Sequence, residues 1–451
     1  MITDCGIPPG ENFTYVIETT DQVGTFWLHG HFHEQFADGL RTPFIIHEKT
    51  RPNTYDEEVL VFLEDWGHSD FATKMSDYST VKFADLSPFY PTVLINGING
   101  NLTAPIELQP RKRYRFRVIS MSSSYWFKFR LPEHKMQIIE ADGVYSEPSE
   151  VDGLTLGPGQ RFSAIVTAHD TVAFNYIYNV TLFADFVPPA LGLLPRYYSG
   201  LLRYNSDAPV KQLPAVSDEE LIWNNIVKMQ ALDKQLLLPV DRQIVLTVRS
   251  YIPEFGIPYY SFSDFAFNQT LVPTLFTALS MGDLAFNSSV YSPLAQAHVV
   301  QNGEAVELLV NNPTTKDHAL HLHMQNFQVV ETGPFGDAVA NGKPIVPHQT
   351  AGPWPMRCDT VTISPFSFIK LRFRVTRGAV MNFHCHNSNH NFHGLAAVVI
   401  AAPDLLQKHV KVPESVLRMC ELQSIKTSGN AAGNQGFNMT GLPAPLLVDR
   451  S

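Results

Sequence analysis

The segment FHCHNSNHNFHGL at residues 383–395 decides how this chain is interpreted, because it places a cysteine between two histidines. In a β-strand, residues two apart point to the same face, so His384 and His386 are predicted to converge on one side. Cys385 would then point to the opposite side, where it can bind a different metal ion. The peptide joining the three residues would form a short covalent path between two metal sites.

Two further segments concentrate histidines in the same way. They are TFWLHGHFHEQFADGL at residues 25–40 and DHALHLHMQ at residues 317–325, and random scatter of the 17 histidines would not cluster them so. Pairs spaced two apart on three strands can build a cage of imidazoles. The histidines that these two segments contribute are His29, His31, His318, His321 and His323.

The softness of the ligands indicates which metal Cys385 would bind. A thiolate with two imidazoles and a weak or absent axial group is the blue-copper arrangement, and His318 and His390 would complete it. Leu395 falls where an axial ligand could sit and cannot bind a metal, which favours Cu(I) and raises the potential. Structural zinc takes four closed ligands, typically with paired cysteines, so zinc is the poorer interpretation.

Composition limits the class of protein. The chain has 451 residues with 44% apolar and 17% charged, enough for two or three domains with sizeable cores. A net charge of -10 and the absence of basic runs argue against a nucleic-acid partner. No run of about 18 apolar residues is present, so no membrane span is predicted. Six sequons predict a secreted or cell-surface glycoprotein: Asn12, Asn101, Asn179, Asn268, Asn287 and Asn438.

Strand signals dominate the chain and predict an all-β protein. Short β-branched and aromatic runs alternate with Pro, Gly, Asn and Asp, which indicates β-sandwiches rather than parallel α/β units. The runs are NFTYVIET (12–19), EEVLVFLEDW (57–66), RYRFRVIS (113–120), FSAIVTA (162–168), QIVLTVRS (243–250), AVELLVNN (305–312) and FIKLRFRVT (368–376).

These runs predict two complete sandwiches, and we place their boundaries at 53–210 and 241–415. Residues 1–52 are predicted to be the remnant of a first sandwich, a four-strand fragment that must dock on the others because it cannot bury two faces alone. The segment 211–240 is a linker or helix, with Ser217 as a possible N-cap and Glu220 behind it. Residues 416–451 form a C-terminal tail.

The four cysteines divide by position. Cys5 and Cys420 lie near opposite ends in loop-like sequence, so a disulfide between them is plausible in an oxidising compartment. Cys358 has no obvious partner and is interpreted as a buried free thiol.

Three motifs carry a resemblance to a known family: WLHGH with ADGL after it, HALHLH, and HCHNSNH with Gly394 and Leu395 after it. Through these motifs the chain resembles the multicopper oxidases, especially fungal laccase-like pigment oxidases and ferroxidases. The resemblance implies three cupredoxin domains and type 1, type 2 and binuclear type 3 copper, with the full set of four ions only if an N-terminal segment missing from this sequence is present. It makes His318, Cys385 and His390 the type 1 ligands and His321 a type 2 ligand, and it implies that Cys5 pairs with Cys420. The type 3 ligands would be His29, His31, His323, His384 and His386, and Asp38 would be a carboxylate beside the cluster.

The chain also departs from that family. An upstream His-Trp-His-Gly motif is absent, as is a signal peptide, so we expect this sequence to be truncated at its N-terminus. The family usually carries Asp or Glu three residues after the cysteine to help protons reach oxygen, and this chain has Ser388. Met324 and Gln325 replace the usual Gly-His. A non-catalytic type 1 copper protein therefore stays open as an alternative.

The reducing substrate is predicted from the residues expected near the type 1 site. Glu140 resembles one of three ferroxidase residues, whereas Thr314 and Phe265 stand where Asp and Tyr are expected, although Asp317 is nearby. A phenol needs only an apolar cleft and a carboxylate, such as Glu140, that takes its proton. The sequence therefore favours oxidation of a phenol with reduction of dioxygen to water, with ferrous iron as the alternative donor.

Overall fold

The protein is described from a computed structural model, which covers residues 2–20, 22–79, 90–100, 102–182, 197–251, 258–336, 339–340, 343–344 and 346–448. β-strands dominate these residues, and the all-β class is confirmed. The sequon at Asn101 lies outside the described residues. No helix in the described ranges is long and apolar enough to cross a membrane.

The N-terminal region contains two strands rather than the four predicted. They pair antiparallel as a hairpin, with Gly24 opposite Ile46 and His29 opposite Arg41. The run 12–19 forms no strand, because no described neighbour pairs with it and Tyr15, Val16 and Ile17 are exposed. The strands are β1 (Gly24–His29) and β2 (Arg41–Ile46).

The central region forms two sheets, which enclose an apolar core between them. The larger sheet has the order β10-β9-β12-β7-β3-β4-β5 and the smaller β11-β8-β13-β14-β6. The elements are β3 (Glu57–Trp66), α1 (Phe71–Ser79), β4 (Thr92–Ile95), β5 (Ile98–Asn99), β6 (Ile106–Glu107), β7 (Arg113–Ser120), β8 (Phe127–Arg130), β9 (Met136–Ala141), β10 (Val144–Val151), β11 (Gly153–Leu156), β12 (Arg161–Thr167), β13 (Tyr176–Leu182) and β14 (Tyr197–Arg203).

The C-terminal region repeats this plan with sheets of order β15-β19-β27-β21-β24 and β18-β29-β28-β20-β26. Its elements are β15 (Arg242–Thr247), β16 (Arg249–Tyr251), β17 (Tyr259–Ser261), α2 (Thr274–Ser280), β18 (Ala297–Val300), β19 (Ala305–Asn312), β20 (His318–Leu322), β21 (Phe327–Pro334), β22 (Val339–Ala340), β23 (Lys343–Pro344), β24 (Gln349–Thr350), β25 (Arg357–Cys358), β26 (Thr360–Ile363), β27 (Ser367–Arg374), β28 (Ala379–Cys385), α3 (Ser388–Phe392), β29 (Ala396–Ala401), α4 (Pro403–His409) and α5 (Glu414–Leu422).

Between the two sandwiches the chain is a linker and not a helix. A single 3-10 turn occupies Asp218–Glu220, and the side chain of Ser217 makes no capping hydrogen bond. The helical interpretation of this segment was therefore wrong. The domain boundaries given above stay predictions, although both pairs of sheets fall inside them.

Buried charges attach the N-terminal hairpin to the central sandwich. The backbone N–H of Thr25 donates to Glu140 Oε1 at 2.6 Å, and Glu140 Oε2 lies 2.6 Å from Arg115 Nη2. Arg161 Nε donates to the carbonyl of Thr25 at 3.0 Å. Burial alone would raise the pKa of Glu140, but Arg115 and then the hydroxyl of Ser163 outweigh it and hold the pKa below its usual value.

We expect Glu140→Gln to destabilise the protein, because it leaves Arg115 with one buried carboxylate fewer. Breaking a buried ion pair in this way costs about 3 kcal/mol. The urea midpoint of unfolding measures the loss. Glu150→Gln, an exposed change in strand β10, serves as the control and should move stability by no more than about 0.5 kcal/mol. Equal midpoints for the two variants would contradict this account of the hairpin's attachment.

Candidate metal centre

Strand β28 places its alternate residues in two different environments. Met381, Phe383 and Cys385 lie in the core between the sheets of the C-terminal sandwich, whereas Val380 belongs to a separate apolar cluster on the other face. His384 therefore points away from Cys385, as the alternation predicted. The opposition of thiol and imidazole follows from the pleat of a single strand.

The thiol site collects three side chains from three elements. Cys385 ends β28, His318 begins β20 and His390 lies in α3, where the side chain of Asn387 caps the helix by accepting from the N–H groups of Asn389 and His390. Cys385 Sγ is 3.8 Å from His318 Nδ1 and 3.5 Å from His390 Nδ1. The three residues are fully buried and their ligand atoms lie within 4.8 Å of one another.

This arrangement fits a copper ion. Metal–sulfur and metal–nitrogen bonds of about 2.0–2.3 Å separate neighbouring ligand atoms by the kind of spacing seen here. Burial raises the pKa of the Cys385 thiol to about 12. A cation is then needed for the thiolate to form at neutral pH, and a bound metal supplies that charge. Leu395 is fully buried in the same core.

The second group consists of six imidazoles that meet where the hairpin and the C-terminal sandwich touch. His31, His323 and His384 bring ligand atoms within 4.8 Å of one another, and the Nε2 atoms of His323 and His384 are 3.1 Å apart. Ring centroids of neighbouring members are separated by 4.8–5.6 Å. The members are His29, His31, His321, His323, His384 and His386.

Backbone carbonyls orient several of these rings. His29 Nδ1 contacts the carbonyl of Gly30 at 3.0 Å, and His384 Nδ1 contacts that of Cys385 at 2.9 Å. His321 Nδ1 is 2.9 Å from the carbonyl of Asp359. With Nδ1 held in this way, each Nε2 stays free for a metal. Strands end before the second histidine of each predicted pair, so His31, His323 and His386 are placed by the residues that follow β1, β20 and β28.

Electrostatics keep the buried members neutral. Burial, and then the neighbouring imidazoles, hold the pKa values of His323, His384 and His386 well below the usual histidine value. Neutral imidazole is the form that binds a transition metal. His386 Nδ1 is buried and has no hydrogen-bond partner within the described ranges, which again suits a metal ligand.

The two predicted carboxylates do not take the places that the sequence suggested. Glu140 is fully buried and engaged by Arg115 and Thr25, so it does not face an external donor and that assignment was wrong. Asp38 is exposed and accepts from the N–H of Phe71 at 2.7 Å, at the first residue of α1. No hydrogen bond joins Asp38 to a histidine within the described ranges, so a role beside the cluster stays a prediction.

Two carboxylates that the sequence did not single out lie closer to the histidines. Asp359 Oδ1 is 3.5 Å from His321 Nδ1, and Arg161 from the central sandwich contacts both oxygens of Asp359 at 2.6 and 2.8 Å. Glu34, three residues after His31, is buried beside Ser388 and Asn391. Only the acidic residue in HGHFHEQF could have drawn attention to Glu34, and that pattern alone is weak.

Comparison with known proteins decides the family. Profiles described as multicopper oxidase match residues 1–51, 57–205 and 268–404. The iron transport multicopper oxidase FET5 of Saccharomyces cerevisiae is 32% identical over 465 residues, covering 98% of this chain and 74% of the relative. The chain is a multicopper oxidase. The iron transport multicopper oxidase FET3 of Gibberella zeae is 34% identical over 449 residues, covering 96% of this chain and 69% of the relative.

Solved structures agree with this assignment. The crystal structure of Fet3p, described as a multicopper oxidase that functions in iron import, superposes with a TM-score of 0.90 at 27% identity, covering 99% of this chain and 85% of that one. A laccase from Botrytis aclada has a TM-score of 0.74 at 21% identity, covering 96% and 80%, which supports the fold alone. The cupredoxin-like class, the oxygen-using oxidase activity and type 1, 2 and 3 copper as cofactor are thereby confirmed.

We expect Cys385→Ser to remove the strong visible absorption of the copper-loaded oxidase, because a hydroxyl cannot replace the thiolate ligand. Copper content should fall by about one per chain, measured by metal analysis beside the visible spectrum. Cys358→Ala changes the other free, buried cysteine and should keep the colour. If Cys385→Ser kept the absorption, the assignment of the Cys385 thiolate as a copper ligand would be wrong.

Proposed function

We propose that this multicopper oxidase oxidises ferrous iron one electron at a time and reduces dioxygen to water. The observation that carries the proposal is the match to relatives named iron transport multicopper oxidases along 96–98% of the chain. The ranking of phenol above iron relied partly on Glu140 as an acceptor of the phenolic proton. Its burial and ion pair remove that support.

The residues divide the work between two sites. When bound, copper accepts single electrons from the donor and supplies four of them to one dioxygen molecule. Cys385 belongs to the donor-side group, and its neighbours His384 and His386 belong to the six-imidazole group. Two peptide units therefore link the sites covalently. Cys385 has no surface exposed to bulk solvent.

The segment before His318 forms the proposed approach for the donor. Thr314 Oγ1 lies 3.2 Å from His318 Nε2, on the ring edge opposite the nitrogen that faces Cys385. Asp317 is half-buried beside His318. A carboxylate there offers the hard oxygen ligand that a ferrous ion accepts, so we assign Asp317 to iron binding. Phe265 pairs with Leu447 in an isolated bridge and offers no oxygen ligand.

A phenol is the second candidate, and the charge beside His318 favours it. Burial, and then the positive charge of Lys316, lower the pKa of His318 to about 3. Lys316 acts on His390 in the same direction. A cation at this edge repels ferrous iron and attracts a phenolate. Thr314 adds no negative charge to offset it.

Secretion to the cell surface or beyond remains part of the proposal. The disulfide between Cys5 and Cys420 is present in the structure and implies an oxidising compartment. Asn268, Asn287 and Asn438 are exposed, as glycosylation of these sequons requires. These features support a secretory route, in line with the sequence prediction.

We expect Asp317→Asn to raise the KM for ferrous iron about tenfold, which corresponds to ~1.4 kcal/mol of lost binding. The KM for a phenol such as 2,6-dimethoxyphenol should stay the same, because a phenol binds in an apolar cleft and uses a carboxylate only to accept its proton. Oxygen uptake with each donor measures both values. Asp404→Asn, an exposed change in α4, is the control. A wild type that consumes oxygen with the phenol and not with iron would reverse the order of the two candidates.

Lys316→Gln also distinguishes ferrous iron from a phenol as the donor, because it removes a positive charge instead of a negative one. Removing the cation should lower the KM for ferrous iron and raise that for the phenol, each by a few-fold, since charge effects near a protein surface are modest. The same oxygen-uptake assay measures both, with exposed Lys408→Gln as the control. No change with either donor would show that donors approach elsewhere.

A further inference from the structure

Glu34 is a buried carboxyl group without a cation. Only 3% of its surface is exposed, and no ion pair within the described ranges includes it. Its Oε2 atom is buried and has no hydrogen-bond partner there. Burying a carboxylate without a compensating charge is costly, so a residue in this state needs an explanation beyond packing.

The neighbours of Glu34 lead to the histidine cluster. The side chains of Ser388 and Asn391, on α3, lie beside its carboxyl group. Both residues line a cavity of about 10 Å³, room for about one water molecule. Histidines from both sides of the cluster line the same cavity, namely His29, His31, His384 and His386. Glu34 therefore stands immediately behind the wall of the space between the imidazoles.

We propose that Glu34 holds a proton for oxygen reduction and delivers it through the hydroxyl of Ser388 to the cavity. Ser388 Oγ is itself buried without a hydrogen-bond partner within the described ranges, so it can accept from the carboxyl group and donate onward. Glu34 acts through Ser388, so it is a positioning residue for the proton transfer and does not bind a metal. The inference rests on the oxygen-reducing activity and not on the identity of the donor.

The reduction of dioxygen to water consumes protons, so the cavity needs a group that supplies them. One dioxygen takes four electrons and four protons to give two waters, and four donor molecules each lose one electron. Neutral imidazoles bound to metal carry no spare proton. Glu34 gives one proton at a time and regains it from solvent on the side of the exposed residues His33 and Asp38.

Electrostatics keep the carboxyl group protonated before it acts. Burial, opposed in part by the nearby side chains of Ser388 and Asn391 and reinforced by the charge of Asp38, raises the pKa of Glu34 to about 8. The buried phenol of Tyr90 also faces it, since Glu34 helps to raise the pKa of Tyr90. At neutral pH the group is therefore mostly neutral and able to donate.

Glu34→Gln tests the proposal, because the amide has the same shape and cannot release a proton. In the copper-loaded oxidase we expect kcat for oxygen uptake to fall about a hundredfold. The fall should be equal with ferrous iron and with a phenol, and the KM for either donor should not change. Adding Ser388→Glu to this variant returns a carboxyl group to the same place and should restore part of the rate. Glu219→Gln, an exposed change in the linker, is the control.

A second readout needs no copper. A carboxyl group whose folded pKa lies above its unfolded value stabilises the fold fully below the unfolded value and loses that contribution as pH rises through the folded one. The urea midpoint of wild type should therefore fall relative to that of Glu34→Gln between about pH 4.5 and pH 8. If the urea midpoints of the two proteins had the same pH dependence, the proposal that Glu34 is protonated in the folded protein would be wrong.

The outcomes distinguish this inference from the choice of donor. If the wild type oxidised only phenols and Glu34→Gln slowed that reaction, the iron proposal would be wrong and the role of Glu34 in proton supply would be supported. Unchanged turnover in Glu34→Gln with both donors would sink the proton role alone. Absence of oxygen uptake by wild type with either donor would overturn both.

Discussion

One arginine holds the three parts of the molecule around the metal centre. Arg161 donates hydrogen bonds to the carbonyl of Thr25 in the N-terminal hairpin and to both carboxylate oxygens of Asp359 in the C-terminal sandwich. Its own backbone N–H donates to Asp142 at 2.8 Å. Since Asp359 contacts His321, the orientation of one cluster histidine is set by a side chain from a different sandwich. The six imidazoles stay together only if all three parts are docked.

The charges around Arg161 also show why the docking is specific. Burial alone would raise the pKa of Asp359, but Arg161 and then His321 hold it well below the usual value. Burial raises the pKa of Asp142, against the pull of the same arginine. One guanidinium thus contacts two carboxyl groups whose pKa values shift in opposite directions. An apolar interface could hold the parts together, but it would not select the rotamer of a histidine.

The sequence predicted best what is local to one strand. The alternation at His384, Cys385 and His386 and the blue-copper trio follow from side-chain direction and ligand softness, and six of seven predicted strand runs were found. The run 12–19 was wrong because strand formation needs a partner. Of the two alternatives for the segment after Ser217, helix or linker, the structure has no α-helix, and the residues of its 3-10 turn are not buried against a neighbour. Glu140 and Glu34 show the same limit. Whether a carboxyl group faces solvent, an arginine or a cavity depends on distant segments.

In the proposed function, the residues before His318 select the donor, whereas the metal centre carries out the oxygen chemistry. The thiol site is fully buried and the imidazole cluster is partly buried, and the fold is shared with solved structures described as a multicopper oxidase that functions in iron import and as a laccase. The residues before His318 form a bend in which Thr314, Lys316 and Asp317 are half-buried, and these three residues lie outside β20. Evolution of the substrate can therefore proceed at Thr314, Lys316 and Asp317 while the electron path stays the same.

The disulfide between Cys5 and Cys420 joins positions 415 residues apart, so nearly the whole polypeptide is a covalently closed ring. A tensile load applied to the chain outside these two cysteines passes through the sulfur–sulfur bond. The sandwiches and the imidazole cluster lie inside the ring and carry none of it. An oxidase tethered by either end could therefore be pulled without its coppers being mechanically displaced.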